Sequence, residues 1–314
     1  MEGLSIRESP ALTNARMVLG FTGWMDGGNV STGTIGYLRR KLKATKFAEI
    51  DAMGFYILNF PIASIPITVL SAEEKTVIRS VNPMEFAALF RPHTNIEDGL
   101  VKSFTYEKNE FFYSQQPDVI LFQGEEPHIR WAEYCDYLFA VADKFGVKEL
   151  YFVGSVASPV PHTREPKIHA SASREELKAR LAGPDIAFTN YEGPAGIVTF
   201  LTKRCSDRGM DMINLVADIP HYPFLDMPTY PRGILKVVAT LKELLHIEID
   251  VSDLEEAATR AQEQLNKVMA DSPEFQQLVR RLEEAYDYQQ AAADEAQLRR
   301  LIDGIDLGDG HDEP

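Results

Sequence analysis

Apolar runs and helical patterns alternate through the first 249 residues of the chain. Continuous apolar runs predict buried strands at 15–22, 118–124, 149–154 and 212–217, with a short strand near 187–188. Apolar positions at helical spacing predict helices over 30–43, 131–145, 174–181, 193–208 and 230–245. Strands that alternate with helices indicate an α/β fold, with a mostly parallel sheet flanked by helices.

Two further stretches carry weaker patterns. Pro61 and Pro66, among β-branched residues, suggest short, interrupted strands over 56–70, and 84–90 fits a short helix. Two alternating runs around 107–109 predict a β-hairpin from Leu100 to Ser114.

The pattern becomes purely helical after Asp250. Ser252 with Glu255 fits a capping box, and Ser272-Pro273 fits an N-cap followed by proline at the first helical position. Two amphipathic helices follow these signals and predict a helical hairpin. We therefore expect an α/β domain over 1–249, a helical extension over 250–301 and an acidic, disordered tail over 302–314.

Charge concentrates in the C-terminal part of the chain. The net charge is −15, and residues 250–314 alone hold 17 acidic and 6 basic residues. The compact basic run is 39–43, which fits the solvated face of a helix better than a phosphate-binding patch. We expect no nucleic-acid partner, and an acidic tail that either keeps the protein soluble or meets a basic partner.

The sequence offers few signals for membranes, metals or cofactors. No apolar run reaches the roughly 18 residues of a membrane helix, and the N-terminus lacks a secretory signal, so we expect a cytoplasmic protein without a membrane partner. Cys135 and Cys205 fall in predicted helices and are expected to be buried and reduced. Without a zinc motif, a Walker loop or a GxGxxG fingerprint, we expect no metal and no cofactor. The absence of a Gly-x-Ser-x-Gly elbow argues against an α/β-hydrolase.

Polar side chains follow the predicted strands, where open α/β sheets place their ligands. The first of five such motifs, at 23–29, puts Trp24 and Asp26 into a glycine-rich turn. Asp26 or Asn29 either caps the following helix or belongs to one wall of a site.

The second motif, at 124–131, holds two adjacent acids. Glu126 is a candidate for acid/base work, with Arg130 holding the carboxylate. Alternatively, Glu125 or Glu126 caps the helix that begins at Trp131, where negative charge suits the helix dipole.

Histidines mark the third and fifth motifs. In the stiff, proline-rich loop 154–164, Arg164 is suited to hold an anion, and His162 is suited to act as a general base. The alternative is a rigid surface loop. In the motif 218–223, His221 either faces the same crevice or is a structural, hydrogen-bonded residue.

The fourth motif, at 190–196, places Gly193 and Gly196 at a helix start, where free backbone N–H groups suit an anion.

Since the carboxyl ends of parallel strands share one edge of a sheet, the five motifs are expected to converge there. The candidate catalytic residues are Asp26, Glu126, His162 and His221. The candidate ligand-binding residues are Trp24, Arg130, Arg164, Gly193 and Gly196.

In this order, the motifs resemble the proteasome assembly chaperone 2 family over about residues 15–290. The segments that carry the resemblance are 23–30, 124–127 with Arg130-Trp131, 161–164, 191–196 and 220–222. Residues 249–286 are also similar to the helical extension of the prokaryotic, actinobacterial-type branch.

The resemblance implies a fold like that of purine nucleoside phosphorylases and peptidyl-tRNA hydrolases, together with self-association into homo-oligomers. It also implies binding to proteasome subunits for eukaryotic and some archaeal members. Archaeal members that dock on the proteasome end in a hydrophobic-Tyr-any motif, whereas this sequence reads Gly-His-Asp-Glu-Pro over 310–314. Docking through that motif is therefore not predicted, and the resemblance transfers no catalytic residue.

Two functions follow from these observations. The resemblance favours a non-enzymatic, homo-oligomeric assembly factor or scaffold, with a proteasome-related role. The polar groups at the strand ends suggest the alternative, a small-molecule hydrolase- or phosphorylase-like enzyme or an anion-binding protein. The sequence leaves the presence of catalysis open.

Overall fold

A computed structural model of the chain describes residues 2–58, 91–181, 186–222, 225 and 227–303. Its strands are β1 (Leu4–Ile6), β2 (Arg16–Thr22), β3 (Thr45–Ile50), β4 (His93–Glu97), β5 (Leu100–Thr105), β6 (Asn109–Gln115), β7 (Asp118–Glu125), β8 (Glu149–Ser158), β9 (Ile168–Ala172), β10 (Ile186–Phe188) and β11 (Asp211–Pro220). Its α-helices are α1 (Val30–Lys41), α2 (Trp131–Lys144), α3 (Ile197–Arg208), α4 (Pro231–Leu245), α5 (Ser252–Ala270) and α6 (Pro273–Asp303). Short 3₁₀ segments cover Gly27–Asn29 and Glu175–Leu181, the second in place of the predicted helix 174–181.

Nine of these strands form one mixed sheet in the order β1-β3-β6-β7-β2-β8-β11-β9-β10. Its four central strands, β7, β2, β8 and β11, are parallel, and Val18 pairs with both Leu121 and Tyr151. The strands β1, β3 and β6 add antiparallel pairs on one side, and β9 pairs antiparallel with β11 on the other. The predicted α/β fold with flanking helices is thus confirmed, with its parallel part at the centre of the sheet.

Two apolar layers cover the faces of this sheet. On one face, Phe21, Phe122 and Phe152 pack against α2 and α3. On the other face, Val18 and Val153 pack against side chains of α1, α4 and α5. Strand side chains alternate between faces, so the central strands are apolar on both sides and read as continuous apolar runs.

The predicted hairpin over 100–114 is wrong. β5 pairs with β4 in a separate two-stranded sheet, whereas β6 pairs with β3 and β7 in the main sheet. The reason is burial, since Phe111 and Phe112 of β6 are almost completely buried while all residues of β4 and β5 are exposed. The predictions over 56–70 and 84–90 lie almost entirely outside the described residues.

The C-terminal helices follow their predicted signals in part. The Ser272 hydroxyl accepts a hydrogen bond from the Phe275 N–H (3.3 Å), as an N-cap does. The capping box at Ser252 is wrong, because Ser252 is already the first helical residue and its N–H donates to the carboxylate of Asp250 (3.1 Å). The Glu255 N–H, which a capping box would pair with the Ser252 hydroxyl, donates to the Val251 carbonyl instead (3.0 Å).

The helical hairpin packs on the sheet domain at two places. Leu254 and Leu265 of α5 belong to the core on the α1/α4 face, and Phe275 and Val279 of α6 surround Tyr222. The division at residue 250 stays a prediction. Residues 302–303 end α6, and the rest of the predicted tail lies outside the described residues. In the described part of the chain, no helix is long and apolar enough to cross a membrane.

Candidate functional site

Four of the five motifs follow parallel strands and therefore meet the same edge of the sheet. They come after β2, β7, β8 and β11, which all point the same way. The fourth motif reaches this edge differently. It follows β10, which runs against the central strands because β9 pairs antiparallel with β11 and parallel with β10. The loop after β10 then returns to the edge where α3 begins.

Glu126 joins three of these motifs. Its carboxylate accepts hydrogen bonds from the backbone N–H groups of Trp24 (3.3 Å) and Ile197 (3.0 Å). Gly196 allows this approach, because a Cβ atom there would lie 2.8 Å from Glu126 Oε1. Glu126 thus satisfies the start of α3. The expectation that it caps the helix beginning at Trp131 is wrong, since its oxygens face α3 instead.

Asp26 serves the first helix. Its carboxylate accepts from the Thr32 backbone N–H (3.0 Å) and the Thr32 hydroxyl (2.7 Å). Asn29 has a left-handed backbone (φ 51°) and makes no capping bond with its side chain. Burial raises the pKa of Asp26, against the hydrogen bonds from Thr32, which lower it. Of the two predicted caps, Asn29 occupies the N-cap position, and Asp26 supplies the side-chain oxygens that bond the first turn.

His162 lies in the contact between the sheet domain and the C-terminal helices. It is fully buried, and its Nδ1 lies 2.7 Å from the Tyr222 hydroxyl while Nε2 lies 3.2 Å from Asn266 Oδ1. A neutral imidazole with its proton on Nε2 satisfies both partners, because the Tyr222 hydroxyl donates to Nδ1 and Asn266 accepts from Nε2. Burial is the main reason that the pKa of His162 lies below its usual value.

Arg164 also binds the C-terminal helices. Its guanidinium donates two hydrogen bonds to the carboxylate of Asp287 (2.8 and 2.7 Å) and one to Glu283 (3.1 Å). Arg130, with a left-handed backbone, pairs with Glu133 and lies 5.4 Å from the ring centre of Phe55. These two cations are therefore engaged by the protein itself.

A cavity of about 850 Å³ lies on the α2/α3 face of the sheet, next to this edge. Trp24, Glu126 and Gly196 line the cavity, and Asp26, Arg130, His162, Arg164, Gly193 and His221 do not. The structure thus brings together three of the predicted site residues and places the others elsewhere. Whether any of them acts in catalysis or ligand binding stays a prediction.

The cavity also contains a polar group that sequence reasoning missed. His169 Nε2 lies 2.7 Å from one carboxylate oxygen of Asp218, and the Ser158 hydroxyl donates to the other (2.7 Å). The hydrogen bond with Asp218 raises the pKa of His169. Two signals pointed here: strict apolar/polar alternation over 168–173, and Asp218 near the end of a mostly apolar strand.

The donor sets of the site do not form a metal centre. Among the residues that the structure describes, no group of three histidine, cysteine or acidic side chains is arranged to hold an ion. Cys135 and Cys205 are free and buried, and burial raises the pKa of both thiols to about 12.

Comparison with known proteins assigns the fold to a family. A PAC2 family protein from Streptomyces avermitilis is 27% identical, covering 85% of this chain and 100% of its own, with a TM-score of 0.66. A proteasome-assembly chaperone homologue from Mycobacterium tuberculosis is 24% identical (84% of this chain, 99% of its own, TM-score 0.67). An archaeal proteasome activator from Pyrococcus furiosus is 22% identical (85% and 99%, TM-score 0.59).

No curated protein matches the chain. The model of the PAC2 family matches residues 20–269, which run from the end of β2 through β11 and almost all of α5. The chain therefore belongs to the PAC2 family.

Proposed function

We propose that this protein is a non-enzymatic, homo-oligomeric assembly factor that acts on proteasome subunits in the cytoplasm. Membership of the PAC2 family supports a proteasome-related role, since similar structures include a proteasome-assembly chaperone homologue and an archaeal proteasome activator. Two buried, free thiols fit a reducing compartment.

The observation that carries the proposal is the exposed sheet formed by β4 and β5. All residues of both strands are exposed, including the large apolar side chains of Ile96, Leu100, Val101 and Phe104. A two-stranded sheet is marginally stable alone, and clustered apolar side chains on a surface mark protein contacts. This exposed sheet of β4 and β5, called the arm below, is better suited to contact a second copy of the chain than to form an enzyme site.

Light scattering after size-exclusion chromatography tests self-association. We expect an oligomer for the full chain, and a shift towards monomer for the double variant Leu100→Glu/Phe104→Glu. Val268→Glu is the matched control, because Val268 is an exposed apolar residue on α5 and belongs to neither β4 nor β5. A monomeric full chain at about 50 μM, well above the dissociation constants of stable oligomers, would refute the proposal.

A second experiment tests the partner. Purified α- and β-type proteasome subunits of the source organism are mixed with and without the protein, and native electrophoresis follows the assembled particles. We expect faster or more complete assembly with the protein, and a weaker effect with the arm variant. An unchanged time course, without any complex between the protein and the subunits, contradicts the assignment.

The structure gives the enzymatic alternative less support. General acid/base work requires groups within hydrogen-bond reach of one substrate. Of the four predicted catalytic side chains, Glu126 alone lines the cavity in the described part of the chain, and its oxygens accept backbone N–H groups.

A further inference from the structure

The cavity beside Glu126 has walls of distinct chemistry. Its floor is the sheet face of β8, β11 and β9, where side chains two residues apart line the same space. Apolar groups fill most of this surface: Phe21, Met25, Phe152, Val156, Val198 and Val216. Trp24 and Tyr191 also line the cavity, although 67% and 66% of their surfaces are exposed. Such exposed rings are suited to contact a planar molecule.

The charged side chains of the cavity wall are already paired within the protein. Glu126 accepts two backbone N–H groups, Asp218 holds His169 and Ser158, and Lys203 pairs with Asp207. A charged ligand would therefore lose its hydration and would have to compete with these existing partners for an opposite charge, which is unfavourable. The wall is suited to an uncharged molecule.

His169 places a polar ring atom on the floor of the cavity. His169 is half-buried, and its Nε2 is engaged by Asp218, so Nδ1 is the ring atom left for a ligand. Asp218 in turn is fixed by the Ser158 hydroxyl, which sets the orientation of the ring. An amide suits this position, because its carbonyl accepts from a protonated Nδ1 and its N–H donates to an unprotonated one.

We propose that this cavity binds a small, uncharged, planar molecule that carries one amide-type group, with the amide at His169 and the ring between the apolar floor and the aromatic side chains of Trp24 and Tyr191. This role is separate from assembly of protein subunits. The cavity does not include the arm. A variant of the arm can therefore lose self-association and still bind the ligand, and a variant of the cavity can lose the ligand and still self-associate.

Three rings of equal shape and different charge test the proposal: benzamide, benzoate and benzamidine. The chain has two tryptophans, so the variant Trp131→Phe of the full chain leaves Trp24 as the fluorescent reporter at the cavity. We expect benzamide to change the Trp24 fluorescence saturably, at least about tenfold more tightly than either charged ring.

Two variants in the Trp131→Phe background locate the binding. His169→Leu should weaken benzamide binding about three- to tenfold, the range for one lost hydrogen bond. Ser171→Phe should obstruct the cavity from an exposed position on β9 without adding a second tryptophan. His221→Leu is the matched control, since His221 is exposed at the same edge and does not line the cavity. Circular dichroism checks that each variant is folded.

The proposal is overturned if none of the three rings changes the Trp24 fluorescence up to its solubility limit. It is equally overturned if a charged ring binds as tightly as benzamide, or if both cavity variants, when folded, bind benzamide as the control does.

Discussion

Removing one oxygen atom, through Tyr222→Phe, tests how the C-terminal helices are held. The Tyr222 hydroxyl accepts the His162 backbone N–H (2.9 Å) and contacts Nδ1 of the same residue (2.7 Å). The ring itself packs against Phe275 with centroids 4.7 Å apart, and phenylalanine keeps that contact. The substitution therefore removes hydrogen bonds while it preserves packing.

The expected cost follows from what remains buried. His162 is fully buried, so its N–H and Nδ1 lose a partner that water cannot readily replace. Each unsatisfied buried group costs about 1–3 kcal/mol, and two of them give an expected loss of about 2–6 kcal/mol. The loss should concentrate where α6 meets the sheet domain, because Phe275 and Val279 surround Tyr222.

Urea unfolding gives the total loss, and amide hydrogen exchange over 273–292 shows where it falls. Tyr288→Phe is the matched control, since Tyr288 lies on α6 and is 78% exposed. A loss below about 0.5 kcal/mol for Tyr222→Phe, which is the usual size of a surface effect, would refute this reasoning. So would equal protection of α6 in both variants.

Three further predictions concern single groups. Burial lowers the pKa of His162 in the folded protein. The contribution of the neutral imidazole to stability is therefore complete above the unfolded pKa of about 6.5, and it is lost as the pH falls through the folded pKa. We expect the free energy of urea unfolding to differ less between pH 7.5 and pH 5.5 in His162→Gln than in the parent chain. Asp26→Ala should cost about 1 kcal/mol in urea unfolding, and Asp26→Asn less because it keeps an acceptor for Thr32; equal losses contradict the capping role. Cys135 and Cys205 should resist a thiol reagent at pH 8 until the chain unfolds, and rapid modification of the native protein argues against their burial.

The sequence predicted the elements whose signal is local. Buried parallel strands carry continuous apolar runs, so β2, β7, β8 and β11 could be identified without partners. The pairing of β5 with β4 could not be identified in this way, because strand pairing depends on which strand becomes buried. The run 109–115 joins the main sheet because Phe111 and Phe112 are buried there, which leaves β5 to pair with β4.

The candidate site was predictable in position and less so in composition. The strand ends indicated the edge, but they could not reveal that α5 and α6 cover His162 and Arg164. His169 escaped notice because β9 enters the sheet antiparallel to β11, so a mid-strand side chain reaches Asp218 near the end of its neighbour. Contacts of this kind depend on topology, which no single motif encodes.

The helix α6 contacts both the loop that carries Arg164 and the cavity beside Glu126. Its Glu283 and Asp287 bind Arg164, and its Gln289, two residues after Asp287, lines the cavity. Releasing α6 therefore opens the cavity at one place while it leaves His169, Trp24 and Tyr191 on the sheet domain. Tyr222→Phe should accordingly weaken benzamide less than His169→Leu does, although it costs more in stability than the control on α6. If the order of the two variants is reversed, the helix supplies more of the binding surface than Gln289 alone accounts for.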